Sequence, residues 1–507
     1  MKKIKLKLSL TTLVVVMTYT ACNKSALNLK PAVVTADNYF TTEANFRSAI
    51  IGVYAALTDF YSSSNESSGG QAESEIQYLA GDDLTITSVT PYEVFTGITP
   101  NESYLNSYFA SCYVLINRSN QVFQQITTAG PGVFTTTTPF NVKNANQGEM
   151  LFLRAFGYYQ LWNIFGTAPV VTTVFTDLSK INSPGSTGTQ LLDQAITDLT
   201  AATSLLPASW GSSDVGRVTA NSAYGLLGKC LVFRATVNKS TADYTAAIAA
   251  FSKINGASLT ANFEDNFNVN TENNSESLFE FQAGAPLAGP GATNLWLAND
   301  QANIGVASAY YESFIPGNFA NYMGGGLWVA TQKLINAFEP GDPRLPLTVV
   351  PGTNYLNKYV LNNSPESQNS LNNTRILRYA DVLLLWAEAD VQTGNAHDAV
   401  DKINLVRTRA RNMVADGTVP ENFDDTITDV PTIMGWVMDE RLRELGSEAQ
   451  RWYDIRRWAL GGQITLTNAF FSSAIPVNMK WDSHYLYFPI PYSETSLDPN
   501  IKQNPGY

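Results

Sequence analysis

A mainly α fold is what this sequence predicts, built of stacked helix pairs with long irregular insertions and minor β structure. Three observations predict it. Apolar residues recur at three- and four-residue spacing along much of the chain, as in Leu151, Ala155, Tyr158, Trp162 and Phe165. Two pairs of such stripes are joined by short polar turns, at Asn238–Ser240 and Gly394–Asn395. Between the pairs lie stretches rich in Asn, Gly, Thr and aromatic residues with no helical stripe, above all Gly256–Gly326.

The chain opens on basic MKKIKLK, then the apolar run Leu8–Met17, then small residues. That pattern is an export signal, and the run is too short for a permanent membrane span. Cleavage before Cys22 gives a signal peptide over 1–21 and a lipidated tether over 22–30. Tyr19 stands where a lipobox usually has Leu, and ordinary cleavage leaving a free Cys22 is the alternative. Residues 31–507 read as a single domain with long loop insertions at about 79–103 and 256–330.

Within that domain, Phe46–Leu57 carries a helical stripe, and Asp59–Glu75 is Ser- and Gly-rich loop. Thr residues, Gly97 and two prolines keep Leu79–Pro100 from being helix. Helical spacing returns over Asn101–Ile126, and Thr135–Thr138 is loop. Asn144–Phe165 is a strong helix, ended by Gly166 and blocked by Pro169. Thr189–Leu206 follows, then the pair Thr219–Val237 and Thr241–Ile254. Leu327–Phe338 resumes a helix, and Pro340–Asn373 is mostly loop around the turn GDPR. Thr374–Val391 and Ala396–Arg411 form the second pair, where Gly394 and Ala399 resemble a tetratricopeptide turn and its small packing residue. Val430–Trp458 supplies the last helices, and Trp481–Ile490 reads as a strand in an irregular tail.

Composition narrows the function. The chain is 44% hydrophobic and 11% aromatic, enough for a large core, and only 15% charged. The formal charge is −12, and it falls to −16 once Met1–Ala21 and its four lysines are removed. Such a chain is not built to bind nucleic acid or anionic headgroups by charge. Of the three cysteines, Cys112 and Cys230 sit in helix-like contexts and read as buried thiols, with one disulfide as the alternative. No metalloprotease, paired-Cys metal, serine-hydrolase elbow or phosphate-loop motif occurs, so no cofactor is expected. His397 and His484 read as structural or exposed. A glycosidase needs two carboxylates across a cleft, and adjacent Asp82 and Asp83 point apart. No catalytic residue is expected.

The densest charge-and-aromatic run is Glu440–Trp458, where arginines, carboxylates and three rings interleave. It reads as a helix whose Arg stems lie on rings and whose heads meet carboxylates. Its end, RWYDIRRW, resembles the C-terminal signature of the SusD/RagB family of outer-membrane nutrient-uptake lipoproteins. RYADVLLLWAEA (Arg378–Ala389), the Gly148–Val171 block, FEPGDPRLPLT (Phe338–Thr348) and the ending FPIP, Glu494 and NPGY resemble further blocks in the family's order.

The resemblance implies tetratricopeptide-like pairs supporting an irregular ligand-binding region. It also implies a non-catalytic lipoprotein, anchored through Cys22, that binds a glycan or oligosaccharide and delivers it to a SusC-like TonB-dependent transporter. RagB-like peptide uptake, or a tetratricopeptide adaptor without a small ligand, are the alternatives. Family ligand regions carried onto this chain point to Asp82, Asp83, Tyr92, Phe95 and Asn101 in the first insertion. In the second they point to Trp296, Tyr311, Tyr322 and Trp328. Sugar C–H faces pack on rings and hydroxyls bond to Asn, Asp and Arg, which is why these types are chosen.

Overall fold

The computed structural model describes residues 36–61, 74–86, 90–135, 139–175, 177, 183–283, 328–358, 372–472 and 479–507. Cys22, Trp296, Tyr311, Tyr322 and the Gly324–Gly326 triplet lie outside the described residues.

The longer helices are α1 (Glu43–Tyr54), α2 (Ser103–Thr128), α3 (Val142–Ile164), α4 (Gln190–Leu205), α5 (Ala220–Asn238) and α6 (Thr241–Phe251). They continue as α7 (Tyr379–Gln392), α8 (Ala396–Arg411), α9 (Val430–Leu445) and α10 (Arg451–Leu460). Successive helices from α2 to α6 pack on their chain neighbours, then α6 packs on α7 and α7 on α8, so the helices form a continuous stack. Helix α10 closes back on α5.

The helix ends follow local chemistry. Asn141 accepts from the Asn144 N–H, Ser240 from Asp243 and Asp429 from Thr432, each occupying a donor the first turn leaves open. Thr219 and Ser222 cap each other's backbone reciprocally at α5. Gly166 stops α3 at φ +73, where an added Cβ would run into the Tyr487 ring.

Strands are few. β1 (Leu84–Ile86) pairs antiparallel with β3 (Trp328–Ala330), and β2 (Ser277–Phe281) with β4 (Thr374–Arg378). Three expectations are corrected here. Thr374–Arg378 is strand, and helix begins only at Tyr379, because Thr374 and Arg375 bond across to β2. Leu327–Phe338 is split, β3 first and then a short helix over Gln332–Ala337 capped by Thr331. Ser483–Leu486 is a 3-10 turn capped by Asp482, so Trp481–Ile490 is not a strand.

One hydrophobic core runs from Phe46 to Ile501, and a second lies between α7, α8 and α9 around Leu384, Val400, Ile403 and Val437. Cys112 and Cys230 form no disulfide and are buried in the first. Through these cores passes a buried ionic lattice. Arg344 bonds Asp342, Glu440 and Glu444; Arg378 bonds Glu276, Glu444 and Glu448; Lys358 bonds Glu448 at 2.8 Å. Burial opposes charge on Glu444, yet Arg409, Arg378, Arg344 and Lys358 hold its carboxyl well below the usual range. The Glu440–Trp458 run, read as one helix, is divided between α9 and α10 by Gly446–Gln450, and both parts feed the interior. Its partners come mainly from distant elements: Arg441 pairs with Asp381 at 2.8 Å and with Asp454 at 2.7 Å, not with its helical neighbour Glu444.

Candidate ligand-binding face

The first insertion is pinned inward by its charges. Asp82 is fully buried; it bonds Arg451, with one contact at 3.1 Å, and pairs with Lys333. Burial pushes this carboxyl up, but Arg451 and Lys333 overcome it and hold it at about 2. Asp83 accepts the Ser447 N–H at 3.0 Å, and its other oxygen has no partner among the described residues. Burial, relieved only in part by that N–H and aggravated by Asp82, pushes it up to about 6.

The predicted rings of this insertion are also interior. Tyr92 is 1% exposed, donates to Glu102 at 2.7 Å and meets Phe488 edge-on. Phe95 takes φ +53 and packs among Phe471, Trp481 and Tyr485. Trp328, on β3, is 3% exposed and tilts against Tyr78 at 5.0 Å. Thus Asp82, Asp83, Tyr92, Phe95 and Trp328 are occupied by the scaffold, and a sugar ring has no approach to them in this arrangement. Burial follows from ion pairs and ring partners that lie hundreds of residues away, which spacing does not reveal. Asn101 alone of the described candidates is exposed. It sits beside Pro100, whose carbonyl accepts from Tyr492, a ring 59% exposed that the sequence reading did not single out.

Several described segments meet around residues 263–283. Tyr61 packs on Phe281 at 5.5 Å. Ala283, the last described residue before 284–327, donates to Asn373 Oδ1 at 2.7 Å. Lys358 lies over Phe263 and Phe267 at 4.9 and 5.0 Å, and Asn372 donates to the Phe267 carbonyl at 2.5 Å. Tyr61, Gln77 and Arg375 line a cavity of about 20 Å³, room for about one water and not for a sugar. Tyr61, Lys358, Asn372 and Asn373 are thereby tied to the segment 263–283.

That neighbourhood is rich in amides. Asn273 and Gln282 exchange two hydrogen bonds at 2.9 and 3.0 Å, and Asn373 donates to Glu280 at 2.8 Å. Glu272 accepts the Asn373 N–H at 2.7 Å, and burial pushes its carboxyl up to about 7. Runs of Asn over 266–274 were the available sequence signal. By contrast, an open cleft of about 540 Å³ around Pro343, Leu345, Pro346, Met413 and Val414 has ligand size but no aromatic wall.

Comparison with known proteins agrees with this architecture. The model of the SusD family matches residues 340–507, and the model described as starch-binding, associating with outer membrane, matches 34–231. The chain belongs to the SusD/RagB family. A SusD-like protein, P2, of Formosa agariphila is 27% identical over 99% of this chain and 100% of its own. A SusD superfamily protein of Parabacteroides distasonis superposes with TM-score 0.71 at 20% identity, over 92% of this chain and 99% of that one. Surface glycan-binding protein A of Bacteroides thetaiotaomicron, in complex with laminarihexaose, gives 0.71 at 20%, over 92% and 100%. These likenesses establish the SusD fold over nearly the whole chain. No helix among the described residues is long and apolar enough to cross a membrane.

Proposed function

We propose that this protein is a non-catalytic, lipid-anchored outer-membrane protein that binds glycans and hands them to a TonB-dependent transporter. The observation that carries the reading is the SusD fold, shared over 92% of this chain with a relative that holds laminarihexaose. Long sequence insertions carried on a helical stack are the arrangement a preformed polysaccharide site needs. A relative of this fold holding laminarihexaose, and a family model described as starch-binding, point to neutral polysaccharides as the cargo class. With five of the earlier candidates taken up by the interior, Trp296, Tyr311 and Tyr322 are the rings proposed to contact sugar, with Asn101 at the exposed rim. Lipidation of Cys22 supplies the anchor.

The test is affinity electrophoresis and calorimetry on laminarin and soluble starch. Trp296→Ala is expected to weaken binding at least about tenfold with an unchanged melting temperature. Undiminished binding would reject the ring assignment. Failure to bind any neutral glycan, with saturable binding of basic peptides, would move the reading to RagB-like peptide uptake. In cells, Cys22→Ser should shift the protein from the membrane to the soluble fraction.

A further inference from the structure

The chain has two histidines, and their settings differ. His484 lies against Tyr485 and Tyr507 and bonds Asp482 at 2.7 Å. His397 stands in the first turn of α8, its side chain 65% exposed, between two carboxylates. Asp401, one turn on, lies 3.8 Å from Nε2; Asp425, from the segment between α8 and α9, lies 3.5 Å from Nδ1. One donor atom from each of the three falls within 4.8 Å of the others. Around a zinc ion, donors at about 2.0–2.2 Å stand about 3–4 Å apart; the two carboxylates lie nearest different ring nitrogens, so a turn of the exposed ring with a rotamer change of one aspartate brings both to the same nitrogen.

Two features separate this group from an ordinary surface pair. Neither Asp401 nor Asp425 has a lysine or arginine within ion-pairing reach among the described residues, so two carboxylates share one imidazole. The segment carrying Asp425 is also fixed. Asn404 of α8 donates to the Phe423 carbonyl at 2.9 Å and accepts its N–H at 2.8 Å. The Phe423 ring stacks parallel on Trp436 of α9 at 4.3 Å, with the Arg407 guanidinium 4.0 Å over it. Asp425, two residues later, is thereby held beside α8.

We infer that His397, Asp401 and Asp425 form a surface site for a divalent transition-metal ion of the zinc class, clipping the α8–α9 connection to α8. One imidazole with two carboxylates suits zinc and its neighbours in the transition series better than calcium or magnesium, which favour all-oxygen sets. With all three side chains at least half exposed, the remaining coordination positions face solvent. This site is independent of the glycan reading.

The test uses the mature chain without lipid and without a histidine tag, stripped with chelator and titrated with zinc chloride near neutral pH. One ion per chain is expected, with a dissociation constant on the order of micromolar, and a rise in melting temperature with zinc. His397→Ala should abolish binding, Asp425→Asn should weaken it at least about tenfold, and His484→Ala should leave it unchanged. Circular dichroism of each variant checks that it is folded. No saturable binding below millimolar zinc, or zinc binding by His397→Ala equal to that of the parent, would overturn the site. Calcium binding in place of zinc would overturn the assigned class.

Discussion

Asp82 and Asp83 are neighbours in sequence with opposite electrostatic settings. Asp83 keeps its proton up to about pH 6 in the folded chain, against 3.8 for a free carboxyl. Between those values the folded state binds more protons, so stability falls as pH rises, by up to about 3 kcal/mol. Asp82, held at about 2, acts the other way: its contribution is present above 3.8 and is lost as pH falls toward 2. Asp83→Asn should flatten the pH 4–6 slope of urea stability and be at least as stable as the parent near neutrality. An unchanged slope would refute it. Arg456 and Arg457 make a second contrast. Arg457 bonds Glu388 at 2.5 Å and Asp454 at 2.9 Å. Arg456 has no carboxylate partner among the described residues; it lies between the Trp162 and Tyr487 rings, and burial pushes it down to about 10. Arg457→Met strands the buried Glu388, while Asp454 keeps Arg441, and should cost about 3–5 kcal/mol, whereas Arg456→Met should cost under about 2. Chemical denaturation of both variants decides between them. The sequence announced that these arginines were interior; it did not show which one lacked an acid.

At the scale of elements, close helix approach rests on particular glycines. A Cβ at Gly228 of α5 would meet the Phe251 ring of α6, while one at Gly435 of α9 meets nothing within 4 Å. Gly228→Ala should therefore destabilise by about 1–3 kcal/mol through overpacking. Gly435→Ala should stabilise by up to about 1 kcal/mol through helix propensity. Thermal melting checks both signs. Helices α3, α5 and α6 were legible because periodicity and capping residues coincide there, and α4 and α8 by periodicity and their bounding turns. Strand β4 was not, because the apolar residues of Thr374–Arg378 merge into the stripe of α7 without a break. What makes it strand is β2, roughly a hundred residues away, and pairing across that distance leaves no local mark.

At the scale of the molecule, the two ends of the chain are bound together. Asp82 reaches Arg451, Phe488 donates to the Ile164 carbonyl at 3.1 Å, and Asn504 donates to the carbonyls of Phe165 and Phe488 at 2.8 and 2.7 Å. The stack is thus closed by its tail rather than left as an open solenoid. Asn504→Ala leaves two buried carbonyls short of a donor and should cost about 1–3 kcal/mol. Calorimetry should show one transition for the parent; separate unfolding of the N- and C-terminal halves would contradict this closure.

The family, the helical class and most helix positions were determined by the sequence alone, since apolar period, caps and turn residues act within a few positions. So was the interior character of the Glu440–Trp458 run, because rings and paired charges in one stretch do not sit in water. Only the tertiary structure decided the fate of Asp82, Asp83, Tyr92, Phe95 and Trp328. Each is an Asp or a ring of the kind that grips sugar, and each was taken by a partner from elsewhere in the chain. Residue type records what a side chain can bond; folding determines what reaches it first.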